Sequence, residues 1–106
     1  MTKVKLLKFR FKPGSKQIWL DWSKELERRK EEVIASMKKE GMISEACFIS
    51  DDGEFVYYFV ETNDFGKTQK SIEENPNPID IEHKKSRESS LEFVGKQECL
   101  FHFNID

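Results

Sequence analysis

Phe55-Val56-Tyr57-Tyr58-Phe59-Val60 is apolar at six consecutive positions. Its aromatic and β-branched side chains suit a pleated surface, so the stretch reads as a strand. Successive side chains on a strand point to opposite faces, and here both sets are apolar. A sheet with one solvated face would alternate apolar with polar residues instead. The sheet holding this strand therefore needs a cover on each side.

Moving back along the chain, Asp51-Asp52-Gly53 has turn chemistry, and Met42–Ser50 reads as the strand it joins to Glu54–Thr62. Further back, Lys3–Lys12 is an earlier strand, with Leu7, Phe9 and Phe11 on one face and Val4, Leu6, Lys8 and Arg10 on the other. Pro13-Gly14 breaks it, and Ser15 offers an N-cap. A single helix is expected from Lys16 to Glu40, because Trp19, Trp22, Leu26, Val33 and Met37 recur at helical spacing. Gly41 suits the residue that ends such a helix.

Moving forward, a short helix over Asp64–Glu73 cannot pass Asn75, which precedes Pro76. Asn77 then caps a helix with Pro78 at its first position, running to about Leu91. Lys96–Phe103 reads as the last strand. The order β-α-β-β-α-β over residues 1–106 is an α+β, ferredoxin-like plan, one antiparallel sheet with helices on one face. That plan sets the first strand between the third and fourth. The face without helices is then covered most economically by a second copy, giving a homodimer through the open sheet face.

A chain of 106 residues suits one domain, and 37% apolar with 36% charged residues suits a water-soluble surface. No run approaches the roughly 20 apolar residues that span a bilayer. The start, Met1-Thr2-Lys3-Val4-Lys5, lacks the apolar region of a signal peptide. Cys47 and Cys99 read as reduced packing thiols in a cytoplasmic protein. Neither Cys-x-x-Cys nor His-x-x-x-His occurs, so neither a metal nor another cofactor is expected.

The charge is distributed in blocks. Residues 1–16 carry Lys3, Lys5, Lys8, Arg10, Lys12 and Lys16 with no acid. Residues 41–64 carry Glu45, Asp51, Asp52, Glu54, Glu61 and Asp64 with no base. A basic arm for nucleic acid is one reading. A basic strand lying beside an acidic one is the other, and the matching counts favour it. Asp52-Gly53-Glu54-Phe55-Val56-Tyr57-Tyr58-Phe59 is similar to the aromatic strand motif of RNA-binding domains of this topology, but its glycine is displaced by one residue and an acid stands where a base belongs. With an isoelectric point near 5.8, nucleic acid is not the expected partner.

Candidate site residues are the polar groups on apolar faces. Arg29 falls within the stripe of Trp22, Leu26 and Val33, where its planar donor fork suits an anion or carboxylate. Its alternative is a packed stem with the head paired to Glu25 or a strand glutamate. His83 aligns with Ile79, Ser86 and Ser90, so it faces inward, either as a general base or as a hydrogen-bonded tie between helix and sheet. His102 reads as structural or at the dimer face. Arg10, Glu45, Tyr58 and Glu61 interrupt apolar strands, and with Trp22 they are candidate ligand contacts in a sheet–helix pocket. Cross-strand ion pairs from Arg10 to Glu61 or Glu45 are the competing explanation. An anionic or carbonyl-bearing small molecule is the ligand class these groups suit; the alternative is a structural or interaction dimer without a ligand.

Phe9-Arg10-Phe11-Lys12-Pro13-Gly14, the Trp-bearing helix ending in Glu40-Gly41-Met42, and Ile79-Asp80-x-x-His83 together resemble a family of small uncharacterised bacterial proteins. That family is placed in the dimeric α/β-barrel superfamily of ferredoxin-like folds, so the resemblance implies the same dimer. More distantly, the layout is similar to the L-rhamnose mutarotases. Where those have Arg-Arg-His, this chain has Arg28-Arg29-Lys30, so their catalytic histidine has no counterpart and no catalytic residue carries over.

Overall fold

The computed structural model describes residues 2–105. Its elements are β1 (Lys3–Phe11), α1 (Lys16–Arg28), α2 (Lys30–Glu40), β2 (Met42–Ile49), β3 (Phe55–Thr62), α3 (Phe65–Glu74), α4 (Pro78–Ser90) and β4 (Leu91–Gln97). The fold is α+β, with one open antiparallel sheet in the order β2-β3-β1-β4.

The turn chemistry acts as the residues require. Asp52 Oδ1 accepts hydrogen bonds from Ser50 Oγ at 2.6 Å and from the Glu54 N–H at 2.9 Å, while Gly53 takes φ +73°, a value L side chains resist. Gly41 closes α2 with φ +74° for the same reason.

Register decides the faces. Leu7 and Phe9 on β1 stand opposite Tyr58 and Val56 on β3, and Cys47 and Ile49 on β2 oppose the same two residues. On this inner face the core joins Phe9, Val56 and Tyr58 to Trp19 and Trp22 of α1, Ile79 of α4 and Leu91. The outer face presents Phe55, Tyr57 and Phe59 beside Ala46 and Phe48 of β2 and Leu6 of β1. Phe48 is 59% exposed there. Six apolar residues in a row thus serve two different surfaces.

Three expectations need correction. The long helix is interrupted at Arg29 (φ −103°, ψ 31°), whose N–H is shared between the carbonyls of Glu25 and Leu26. No proline or glycine lies there to warn of it.

The last strand is Leu91–Gln97, not Lys96–Phe103. Ser90, fully buried, ends α4 with its hydroxyl bonded to the Ser86 carbonyl. Its own carbonyl accepts from the Lys12 N–H and Ser15 Oγ. This clasp brings Leu91 directly opposite Phe11, so pairing with β1 begins at once and is spent by Gln97 opposite Leu6. Gly95 lies just past a register shift, where a glycine inside a strand commonly marks a bulge. His102 therefore stands on no strand; its Nε2 lies 3.7 Å from Glu61 Oε2.

The expected ion pairs from Arg10 to Glu61 or Glu45 do not form. Antiparallel register puts Arg10 opposite Phe55 and Glu61 opposite Val4, at the two ends of the β1–β3 pair, while Glu45 occupies the other sheet face. Arg10 instead lies 3.9 Å from Glu92 on β4. The basic strand does run beside the acidic hairpin. Yet Lys8 meets rings rather than acids, with Nζ 4.2 Å from the Phe55 centroid.

Candidate functional site

A cavity of about 240 Å³ lies between the inner sheet face and the helices. Its apolar walls include Leu7, Leu26, Val33 and Val60, and polar groups from six elements converge on it. That combination is the usual character of a small-molecule site.

The best-defined group is a hydrogen-bonded chain. Trp22 Nε1 donates to His83 Nδ1 at 2.8 Å, and His83 Nε2 lies 3.0 Å from the Tyr58 hydroxyl. An indole N–H can only donate, so Nδ1 must accept and the neutral imidazole carries its proton on Nε2. That proton goes to the Tyr58 oxygen, which leaves the tyrosine's own proton free to donate elsewhere. The imidazole is enclosed by Trp19, Trp22 and Tyr58, at centroid distances of 5.6, 6.1 and 5.7 Å. Burial, with the nearby Arg87 charge, pushes its pKa down to about 4. The ring stays neutral near pH 7, with both nitrogens engaged.

A second group is built on helix ends. Ser36 and Glu40 stand one turn apart on α2, and Ser36 Oγ lies 3.2 Å from Glu40 Oε2 and 3.0 Å from Asp80 Oδ1. Asp80 also accepts from the Asn77 N–H at 2.9 Å, closing the first turn of α4. One hydroxyl proton cannot satisfy two carboxylates. Burial first, and then Asp80, pushes Glu40 up to about 8. Burial acts the same way on Asp80, but bonds from Glu40, Asn77 and Ser36 outweigh it and hold that carboxyl low. The pair shares a proton that resides on Glu40.

The third feature is a row across the sheet. Lys5 on β1 and Glu45 on β2 both pair in register with Val60 on β3. A cation and a carboxylate therefore flank Val60 on the inner face, one strand to either side, with Tyr58 two residues along the middle strand. No hydrogen bond or ion pair among the described residues holds the Glu45 carboxyl, and burial, then the Asp80 charge, raises it to about 7. Lys5 Nζ lies 4.2 Å from the Phe65 ring centroid. On the far side of Glu45 and Tyr58 a wider, chiefly apolar groove of about 590 Å³ opens under α1 and α2.

Of the residues singled out from the sequence, His83, Tyr58 and Glu45 line the cavity. Trp22 reaches it through His83. The other three lie outside its lining. Arg29 pairs with Glu32 and with Glu82 of α4, each at 2.7 Å, which joins α2 to α4 at the surface. Arg10 is exposed on the outer face. Glu61, also outer, accepts from Thr2 at 2.6 Å and Ser44 at 2.9 Å. Lys5, Ser36, Glu40, Asp80 and Arg87 line the cavity without having been singled out. Asp80 lay within the quoted Ile79-Asp80-x-x-His83, and the four-residue spacing of Ser36 and Glu40 was a further signal. Among the described residues no group of three or more His, Cys, Asp or Glu side chains is placed to hold a metal ion. Among the described residues no helix is long and apolar enough to cross a membrane.

The fold and cavity define a small α+β protein with a polar-floored chamber between sheet and helices. The chain belongs to the family of unknown function DUF6176, whose model matches residues 2–102. No curated protein matches it.

Proposed function

We propose that this protein binds a small oxo acid, a molecule carrying both a carbonyl and a carboxylate, in the cavity between sheet and helices. The observation that carries this reading is the Trp22–His83–Tyr58 chain, which commits the tyrosine oxygen to accepting and frees its proton for a ligand oxygen. Lys5 and Arg87 in the same lining supply positive charge for the carboxylate. The apolar walls accommodate the carbon skeleton. Titration with pyruvate, 2-oxobutanoate and butanone, read by tryptophan fluorescence and by amide chemical shifts, tests the reading. The two oxo acids are expected to bind more tightly than butanone. Tyr58→Phe is expected to weaken binding about two- to tenfold, the worth of one neutral hydrogen bond, and to lower the melting point as well, because the buried His83 Nε2–H loses its acceptor. Absence of any shift at millimolar oxo acid would refute the proposal.

A second reading concerns the assembly. Placement of β1 between β3 and β4 fits the ferredoxin-like plan, and the apolar outer face fits a sheet-to-sheet homodimer. The outer face carries Lys8 and Arg10 toward one end and Glu61 at the other. A two-fold axis in the interface and perpendicular to the strands would lay the basic end of one copy over the acidic end of the next, an arrangement in which these charges are complementary.

A further inference from the structure

We infer that the cavity does more than bind: it is built to enolise a small oxo acid, with Glu45 removing a proton from the carbon beside the carbonyl and Tyr58 holding the resulting oxyanion. This rests on the binding reading above and adds a reaction to it. The geometry comes from the row Lys5–Val60–Glu45 and from Tyr58 on the middle strand. A planar oxo acid lying over Val60 with its carboxylate toward Lys5 presents C3, the carbon beside the carbonyl, toward Glu45. Its carbonyl oxygen then lies toward Tyr58. Glu45 is the cavity carboxyl free to act, because Glu40 and Asp80 are tied to each other and to Ser36, while no donor among the described residues engages Glu45. A carboxyl that titrates near neutrality is also well matched to taking and returning a proton at that pH. His83 touches no ligand in this scheme. It is a positioning residue that fixes which way the tyrosine proton points.

The step balances without any co-reactant. Glu45 takes the proton, and the C–H electron pair becomes the new C=C bond. The carbonyl π pair moves onto oxygen, where the Tyr58 O–H bond stabilises it. Return of a proton to the same carbon regenerates the oxo acid, so in deuterium oxide the net change is exchange of hydrogen for deuterium.

The experiment is 2-oxobutanoate in deuterium oxide near neutral pD, with loss of the C3 proton signal followed by NMR against a protein-free sample. Binding is read separately by tryptophan fluorescence, and oxalate serves as a planar enolate mimic. Wild-type protein is expected to exchange C3 above the buffer rate and to be inhibited by oxalate. Glu45→Gln is expected to lower the protein-dependent rate about 100-fold or more while still binding. Tyr58→Phe should lower kcat by a comparable factor, as loss of an oxyanion donor does elsewhere. Lys5→Met should act chiefly on KM. Binding without exchange overturns this inference and leaves the binding reading standing, whereas absence of binding overturns both. Full exchange activity in Glu45→Gln overturns the assignment of the base. Should that variant fail to fold, wild-type exchange and its inhibition by oxalate still decide whether the reaction occurs.

Discussion

Glu40 is a glutamate that behaves as a neutral acid. Its neighbours include Ser36 on its own helix, Asp80 from α4, Glu45 from β2 and Thr68 of α3, which donates to its backbone carbonyl. A folded-state pKa of about 8, against 4.5 for the free group, means folding favours the protonated form. Its stabilising contribution is complete below about pH 4.5 and is lost as pH rises through 8. Asp80, held low, works in the opposite sense on the acid side. Glu40→Gln copies the protonated state, so it is expected to melt close to wild type at pH 5 and above it at pH 9. Thermal denaturation at the two pH values checks this, and a variant less stable than wild type at pH 9 would show that the carboxylate itself is needed.

At the scale of elements, α4 and β4 show how a tie point sets boundaries. The Ser90 clasp starts β4 at Leu91, and pairing with β1 is complete at Gln97. The segment beyond contributes no strand, and its Phe101 and Phe103 lie 74% and 84% exposed. Its contacts with the domain include Asn104 on Thr2 at 3.1 Å and His102 beside Glu61. A chain ending after Gln97 is therefore expected to fold with the same far-ultraviolet circular dichroism and to lose about 1 kcal/mol or less, the range of surface changes. Collapse of that variant would reinstate a strand over 96–103. The hairpin, the glycine that ends α2 and the Pro78 start of α4 were all legible, because each depends on local backbone preference. The interruption at Arg29 and the start of β4 were not, because side chains and carbonyls from distant segments impose them.

For the whole molecule, the proposed dimer rests on the aromatic outer face. Packing two such faces is expected to bury about 1,600 Å² or more, the standard size of a specific interface. Phe59 points outward from the middle of β3, so Phe59→Lys is expected to give a folded monomer by light scattering, because it buries an unpaired charge in each copy. A wild-type monomer at micromolar concentration would rule the dimer out.

By itself the sequence determined the α+β class, the hairpin and the two-faced third strand. Periodicity, turn residues and caps act over a few neighbouring positions. It also turned His83 inward, since helical geometry aligned it with Ile79. Only the tertiary structure decided which strand face looks at the helices. Parity along a strand divides residues into two sets without saying which set is inside. That choice brought Lys5, Glu45 and Tyr58 to one cavity and sent Arg10 and Glu61 to the opposite surface. It also paired Glu40 with Asp80, forty positions apart in sequence, because the end of α2 and the start of α4 meet at Ser36. No local preference encodes such a meeting; it follows from how the helices share one sheet.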